Sequence, residues 1–508
     1  MRIVSTYFNL FTIKEMNIDN FLLGAEVAFT VQNLWYCFIG VLIGTIVGLL
    51  PGLGPLAALP LLLPLTYSWD PISAIIMMSG IYYGTQYGGS SAAILFKVPG
   101  ETSSVVVMAD GHALCRKGYA SAAINICAIG SFVGGCVATF LIVIGSQFFL
   151  SIGLAFGPRE YMALIILGCA CCIAMSSQSW EKTFAMMLLG MLLSATGVDS
   201  FDGKIRFNFG TSYLAAGIDL KILILALYGV AEALRYLSSS DAVMRQVHLV
   251  KQLKFWSQKN LNKIFSCWKS ILRGCGIGSI LGVIPGGGSV YASFMSYAFE
   301  KKISKNPEKF GKGAIEGIAA AETANNAGAQ TSFIPMLGLG IPVNGAMALC
   351  LALLLVHGIE PGPNILSKHP QLFWGLIVSM LIGNVMLLAI NLGTVTLLIK
   401  AMKINLKYIL YGVLALSFIV VYSYDKDLID CLTMLILGIL GFFLLKNGYD
   451  LLGILMGFIL GTKLEESFRH SMQIYRQDFF DIFVWNWGIV LYILSVIILF
   501  FFKNTDKK

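Results

Sequence analysis

A proline flanked by glycines interrupts one of the most apolar stretches of the chain at "IGTIVGLLPGLG", Ile43 to Gly54, and the interruption returns at "IGSILGVIPGGG", Ile277 to Gly288. The two strings, 234 residues apart, are identical at seven of twelve positions, where chance matching in a Gly-rich apolar chain gives roughly one. Proline removes a backbone donor and glycine weakens a helix interior, so such a string breaks a helix. Broken backbone at membrane depth is tolerated only where protein or a water-filled cavity covers it. The composition places these breaks in a membrane: 57% of the 508 residues are hydrophobic and 12% charged, against about 25% charged in a soluble domain. About a dozen apolar segments approach the ~20 residues that a span needs, and no stretch reads as a soluble domain. The N-terminus lacks a charged n-region, an apolar core and a small-residue cleavage site, so no removable signal peptide is expected. Eleven cysteines without zinc-like spacing read as small hydrophobes.

Loop charge sets the expected topology. The densest basic region, Arg235 to Arg273, and the loop "EKKISKNPEKFGKG" both read as cytoplasmic by the positive-inside rule. Only Gly274 to Phe299 lies between them; as one helix it would measure about 39 Å and cross a ~30 Å core. Flanks on the same side require a re-entrant hairpin that turns at Pro285 to Gly288. The first copy is preceded by Glu15, Asp19 and Glu26 with Arg2 and Lys14, and followed by Asp70 with no base until Lys97, so its flanks read as external. The duplication is therefore an inverted-topology repeat, which is a transporter signature. The expected fold is an all-α polytopic membrane protein of about 11–12 transmembrane segments, in two inverted-topology repeats with re-entrant hairpins and broken helices. Residues 1–33 form an N-terminal or interfacial segment, 34–237 the first repeat, 238–273 a cytoplasmic basic linker and 274–508 the second repeat.

After each hairpin comes a segment rich in small polar residues, "YGTQYGGSSAAILFKVPGE" from Tyr83 and "AETANNAGAQTSFIPMLGLGIP" from Ala321, and both read as helices unwound near Gly88 and Asn326. Two tips and two unwound helices would meet near the midplane. Half-helix N-termini there favour an anion such as a carboxylate, and free carbonyls suit a coupling cation, proton or sodium. The candidate substrate-binding residues are Gly52, Gly54, Gly88, Gly89, Ser90, Ser91, Gly286, Gly288, Ser289, Asn325, Asn326 and Thr331, with Pro51 and Pro285 as the structural breaks. For the hydroxyls, helix-to-helix bonding is the open alternative. Glu322, Asn325 and Asn326 share a helix face by spacing. Glu322 is either the ion-coupling group or a solvated helix start near the Lys312 loop. Lys97 reads as a snorkelling side chain, Asn384 and Asn391 as bonds between helices, and Glu232 as a local partner of Arg235. His112, His357 and His369 form no ligand cluster, so neither a metal nor another bound cofactor is expected.

These motifs resemble the large membrane subunit of the tripartite tricarboxylate transporters, the TctA family. The resemblance rests on "GLLPGLGP", "GIYYGTQYGGSSAAIL", "VPGE" and "ADG", then "GVD" and "FNFG", then "GVIPGGG", "SKNPEKFGKGAIEGIAA", "ANNAG", "LGIP" and "HGIEPGP". It implies a secondary transporter of the bacterial inner membrane that takes up tricarboxylates or other carboxylates with a cation gradient. It also implies two partners, a small four-helix membrane subunit and a periplasmic substrate-binding protein. The chain departs from the family pattern at Lys97, at Ala321 before Glu322, and at "IPVN", Ile341 to Asn344. The resulting expectation is a permease that is not an enzyme, with an elevator-like movement of the hairpins past a scaffold. The alternatives are a channel lined by the broken helices and an intramembrane hydrolase with Ser90 or Ser289 as nucleophile.

Overall fold

The computed structural model describes residues 18–50, 54–97, 99–154, 157–176, 178–199, 201–238, 266–284, 288–362, 364–393, 406–474 and 487–503. Pro51, Gly52, Pro285 and Gly286 lie outside the described residues, as does most of the basic linker. Apart from one short β-hairpin, the regular structure is helical. The chain opens with α1 (Ile18–Ala28), α2 (Val31–Leu49), α3 (Gly54–Thr66) and α4 (Pro71–Phe96). Thr30 caps α2, and Asp70 caps α4 by accepting the N–H groups of Ile72 and Ser73, with Pro71 at the first turn, where its missing N–H costs nothing. Then come α5 (Val105–Arg116), α6 (Ala120–Leu154), α7 (Pro158–Met175) and α8 (Trp180–Ser194). The hairpin β1 (Gly197–Val198) and β2 (Ile205–Arg206) follows, then α9 (Ser212–Ala215) and α10 (Leu220–Ile224). A π-helical stretch, Leu225–Ala231, leads from α10 into α11 (Glu232–Ser238).

Beyond the linker come α12 (Trp268–Val283), α13 (Gly288–Ile303), α14 (Ile315–Thr331), α15 (Phe333–Leu339), α16 (Gly345–Val356), α17 (Ile365–Lys368) and α18 (Pro370–Gly393). The chain finishes with α19 (Leu406–Asp425), α20 (Leu428–Lys446), α21 (Leu451–Ile474) and α22 (Trp487–Lys503). Among the described residues, four helical stretches are long and apolar enough to cross a membrane unaided: Val31–Leu49, Ala120–Ser146, Pro370–Leu392 and Leu428–Lys446. The first of these is an arm of the first hairpin, which is therefore a full-length helix rather than the half-helix expected.

Each hairpin packs through a glycine stripe. A Cβ placed on Gly40, Gly44 or Gly48 of α2 would lie 2.4, 2.3 or 2.6 Å from the carbonyl oxygens of Met77, Ile81 and Thr85 on α4. On α12, a Cβ on Gly274, Gly278 or Gly282 would lie 2.7, 2.4 or 2.4 Å from the carbonyls of Ala320, Ala324 and Gly328 on α14. The stripes are offset by the same 234 residues as the sequence duplication. Both contacts rise in step along the two helices, so α2 runs parallel to α4 and α12 parallel to α14, with α3 and α13 as the returns. The second hairpin is closed at its base, where Glu300 of α13 takes Ser270 at 2.8 Å and Arg273 at 2.6 and 2.8 Å from α12. In the first half the corresponding end of α2 is tied to α4 instead, Ser73 donating to Asn33 at 2.7 Å. Ser90 reaches Glu322 while Tyr83 lies against Phe333, so α4 runs antiparallel to α14 and α15. The two hairpins therefore approach each other from opposite ends.

The segments expected to be unwound are helical. Gly88 and Gly89 lie inside the continuous α4, and Asn325 and Asn326 inside the continuous α14. The physical reason is that Gly80, Gly84 and Gly88 serve close helix approach: a Cβ on Gly88 would lie 2.3 Å from the Thr45 carbonyl oxygen. The chain breaks later, at Lys97 to Ser104 and at Gly340 to Asn344. Lys97 (φ 57°) and Gly340 (φ 70°) end their helices in the left-handed region, and they stand 243 residues apart.

At the other end of the molecule, the β-hairpin is clamped to α21. Arg206 and Arg469 both reach Asp199 and Glu465. The Phe201 backbone N–H, followed by the two guanidiniums, holds the Asp199 carboxyl below its ordinary value. A lowered carboxyl contributes stability above the unfolded Asp value and loses it as pH falls through the folded one. The clamp should therefore be unchanged between about pH 5 and 8 and open in strong acid, which hydrogen exchange on residues 197–206 would register.

The glycine stripes make a sharper prediction. Gly278→Ala places a methyl group against backbone and should cost about 1–3 kcal/mol. Gly276→Ala, with nothing within 4 Å, should be neutral or gain up to about 1 kcal/mol. Thermal unfolding of the purified protein in detergent measures both, and equal melting temperatures for the two variants would remove the close-contact account.

Candidate functional site

Helix α14 is buried from Gly317 to Thr331, and its run of Ala and Gly lets α6, α12 and α13 approach closely. Glu322 sits in the middle of it, fully buried (0% exposed), which corrects the alternative of a solvated helix start. Three side chains from three helices donate to its carboxylate: Ser90 of α4 at 2.7 Å, Ser131 of α6 at 3.0 Å and Asn326 of α14 at 3.0 Å. Asn326 also donates to Ser131 at 2.6 Å. A buried carboxylate needs partners for its lone pairs, and this one is satisfied by hydroxyls and an amide.

Asn325, one position along, turns to a second carboxylate. Its Nδ2 donates to Glu101 Oε1 at 3.3 Å while its buried Oδ1 has no partner. Glu101 belongs to "VPGE" in the break after α4. Ser103 donates to the same Oε1, and the Glu101 N–H bonds Ser104 at 3.4 Å. Its side chain rests on Gly89, where a Cβ would come within 2.8 Å, and beside Gly54, whose N–H bonds the Gly100 carbonyl at 3.1 Å.

Glu101 faces a cavity of about 790 Å³. The first residues of four helices border it: Gly54 of α3, Val105 of α5, Gly288 of α13 and Gly345 of α16. Gly54 (φ 44°) and Gly288 (φ 54°) are both left-handed, a conformation that favours glycine and here opens a helix directly onto the cavity. Tyr82 and Gln86 of α4, with Ser289, complete this end. Tyr228, Glu232, Arg235, Tyr236 and Asp450 line the cavity as well. Arg235 is the single basic side chain among the described residues that line the cavity, and it pairs with Glu232 at 2.7 Å.

The two halves meet across this cavity in matching pairs. "VPGE" ending at Glu101 and "IPVN" ending at Asn344 stand 243 residues apart, and so do Tyr82 and Asn325. Glu101 bonds Asn325 of the other half at 3.3 Å, and Asn344 bonds the Tyr82 hydroxyl of the other half at 3.0 Å. Asn344 also caps α16 by accepting the Met347 N–H at 2.9 Å.

The residues singled out from the sequence therefore fall into several places. Gly54, Gly288 and Ser289 line the cavity; Gly89 seats Glu101; Asn325 bonds Glu101; Ser90 and Asn326 bond Glu322. Gly88 serves the α2 contact. Ser91 is buried but is not among the groups that bond Glu322. Thr331 bonds the Ala327 carbonyl at 3.0 Å and faces Gly282, so it packs helices. Lys97 is exposed. Asn384 receives Gln330 at 3.5 Å, Asn391 bonds the Leu387 carbonyl at 2.9 Å, and His112 meets the Ile94 carbonyl at 3.1 Å. Among the described residues no group of three or more His, Cys, Asp or Glu is placed to hold a metal ion. Sequence reasoning missed Glu101, Tyr82, Ser131, Arg235 and Asn344. The recurrence of a proline tetrapeptide at an offset of 243 was the signal that pointed to two of them.

Fold and site together define a polytopic membrane protein with a cavity between two opposed hairpins. Residues 34–456 match the Tripartite tricarboxylate transporter TctA family, and the chain belongs to that family. Membership makes it a component of a tripartite transport system. The chain is 44% identical over 462 residues, 91% of each chain, to an uncharacterized 52.8 kDa protein in the TAR-I ttuC' 3'region of Agrobacterium vitis. It is 47% identical over 201 residues, 40% of this chain and 83% of the relative, to an uncharacterized protein in the TAR-II ttuC' 3'region of the same organism. No solved structure matches.

The Glu322 network predicts coupled losses. Ser90→Ala and Ser131→Ala each remove a hydrogen bond to a carboxylate and should destabilise by about 1–3 kcal/mol. The double variant should deviate from additivity by at least about 0.5 kcal/mol in thermal unfolding, since both hydroxyls serve one group. Strict additivity would mean that the two bonds act independently.

Proposed function

We propose that this chain is the membrane-spanning permease of a binding-protein-dependent carboxylate uptake system in a bacterial inner membrane, a secondary transporter driven by a cation gradient and not an enzyme. The observation that carries this reading is the convergence of four helix starts on one cavity between two oppositely directed hairpins. The start of a helix carries the positive end of its dipole and N–H groups without intrahelical partners; some of these are capped here, Gly54 by the Gly100 carbonyl and Met347 by Asn344, and the four dipole ends together favour an anion in the cavity. Arg235, the one base of the described lining, is the side chain that would meet a second carboxylate of a di- or tricarboxylate in exchange for Glu232. The neutral Tyr82, Gln86, Ser289 and Asn344 supply hydrogen bonds without adding charge.

The antiparallel hairpins and the crosswise pairs support an inverted-topology repeat, with the substrate held on its pseudo-twofold axis as in other transporters built from such repeats. With the basic linker inside, Arg235 and Tyr236 mark the cytoplasmic end of the cavity and the β-hairpin lies outside. In an elevator-like cycle the two hairpins, α4, α6 and α14 would move as one body past the remaining helices. The partners implied by the tripartite family are a small four-helix membrane subunit and a periplasmic binding protein that delivers the carboxylate to the outer face. As for the hydrolase alternative, the Ser90 hydroxyl is donated to Glu322 rather than aimed at the cavity.

Uptake of labelled acetate, succinate and citrate into cells that express the chain with its two neighbouring subunits tests the reading. Uptake should be saturable for at least one multicarboxylate and abolished when the ion gradient is collapsed. Gly288→Leu, strained at a left-handed position, and Asn326→Leu, which strips a donor from Glu322, should each lower uptake by at least about tenfold, a loss of about 1.4 kcal/mol or more in transport free energy, with the protein still in the membrane. Unsaturable flux along the gradient would indicate a channel, and unchanged uptake in both variants would remove these residues from the site.

A further inference from the structure

Glu101 occupies the wall where an anionic substrate has to bind. It borders the cavity beside the first residues of α3 and α5, opposite those of α13 and α16. A fixed negative charge there satisfies the helix starts while the cavity is empty and repels a substrate carboxylate that arrives at the same N–H groups. The conflict disappears when Glu101 is neutral.

We propose that Glu101 carries the proton that travels with the substrate. The proposal rests on the reading of the cavity as a carboxylate site. Glu101 is ionised in the empty carrier, where Ser103 and Asn325 donate to its carboxylate and the positive ends of the neighbouring helices favour its charge. It takes one proton from water on the outer side as the substrate carboxylate replaces it at the helix starts. On the inner side the substrate leaves, Glu101 returns the proton to water, and the helix starts recover their fixed anion.

The surroundings of Glu101 fit this role. From α4 it faces Tyr82 and Gln86, from its own loop Ser103 and Ser104, and from α14 Asn325, with Glu322 one turn behind. Among the described residues no Lys, Arg or His forms an ion pair with it, so no fixed cation competes with the proton. Ser103 and Asn325 present hydrogens to it, as suits a carboxylate that exchanges a proton, whereas a sodium ion would need oxygens turned inward. The buried, unpartnered Oδ1 of Asn325 lies on the side chain that meets Glu101 and is an acceptor available to the protonated acid. Glu322 is the poorer carrier: it is sealed from the cavity and already bonded by three side chains. The second half supplies the contrast. Asn344, 243 residues on, occupies the matching place with an amide that cannot titrate, so the crosswise pair holds one proton site and not two.

The test uses right-side-out membrane vesicles carrying the full tripartite system, with labelled succinate and citrate as probes, between about pH 5.5 and 8.5, with and without sodium. In the wild type an inward proton gradient should drive accumulation without sodium. Glu101→Gln should lose that accumulation by about tenfold or more, while exchange of external label against preloaded unlabelled substrate stays within about twofold and becomes independent of pH. Glu101→Asp should restore pH-dependent accumulation. The preserved exchange shows that the variant folds and binds. Proton-driven accumulation that persists in Glu101→Gln overturns the proposal. Loss of exchange together with accumulation does so as well, by making Glu101 a binding group. Accumulation in the wild type that follows sodium and ignores pH replaces the proton by sodium. A wild type that moves none of the probes instead overturns the reading of the cavity.

Discussion

The close contact of glycine stripes with backbone carbonyls is the constraint on which the rest depends. Gly40, Gly44 and Gly48 let α2 lie against α4, and Gly274, Gly278 and Gly282 let α12 lie against α14, at distances that leave no room for a Cβ. In lipid there is little hydrophobic drive between helices, and association rests on such close packing. The contacts fix the height at which each hairpin turns, and so the places where α3 and α13 begin. Because Gly54 and Gly288 are left-handed, each return helix starts abruptly at the cavity and not inside another turn. Packing of backbone on backbone thus positions the electrostatics of the site.

The same economy explains why the two halves differ where they do. Structural positions repeat faithfully: the glycine stripes, the left-handed helix starts and the left-handed caps at Lys97 and Gly340. Chemistry does not. Glu101 corresponds to Asn344 and Tyr82 to Asn325 at the 243-residue offset, and the bonds run crosswise, Glu101 with Asn325 and Asn344 with Tyr82, so the two pairs carry one acid. A second acid there would add to the negative charge that Glu101, Glu232 and Asp450 already bring to the cavity lining. An amide at Asn344 keeps the hydrogen bond and the helix cap without the charge.

Much of this frame was legible in the sequence, and the reason is physical. A Pro-Gly break inside an apolar run, repeated at a fixed offset, has few solutions in a membrane, and the charges around it gave hairpins, of which the second is closed at its base by Glu300 with Ser270 and Arg273. Glycine itself was misleading in α4. It serves unwinding and close approach equally well, and only the partner helix decides between them, so the breaks were expected near Gly88 and Asn326 and stand at Lys97 to Ser104 and Gly340 to Asn344. Spacing grouped Glu322, Asn325 and Asn326 on one face. Asn326 does bond Glu322, but Asn325 turns to Glu101, because a neighbour from the other half stands there. Contacts between segments far apart in the chain leave no periodicity in either of them, and for that reason Glu101, Tyr82 and Asn344 escaped notice although "VPGE" and "IPVN" were both in view.

The buried Glu322 network then has a definite place in the proposed carrier. Its bonds join α4, α6 and α14, and the glycine stripes join α2 and α12 to two of these. A body that moves as a unit has to hold together more firmly than it holds to its surroundings. A carboxylate bonded to three helices meets that need, since separating any one of them leaves a buried donor or acceptor unsatisfied. Glu101 stands at the edge of the same body, on a loop that opens to the cavity. One acid locks the frame while the other faces the cavity, and the adjacent Asn325 and Asn326 of one helix turn serve one acid each. This arrangement couples what happens in the cavity to a frame that does not itself have to deform.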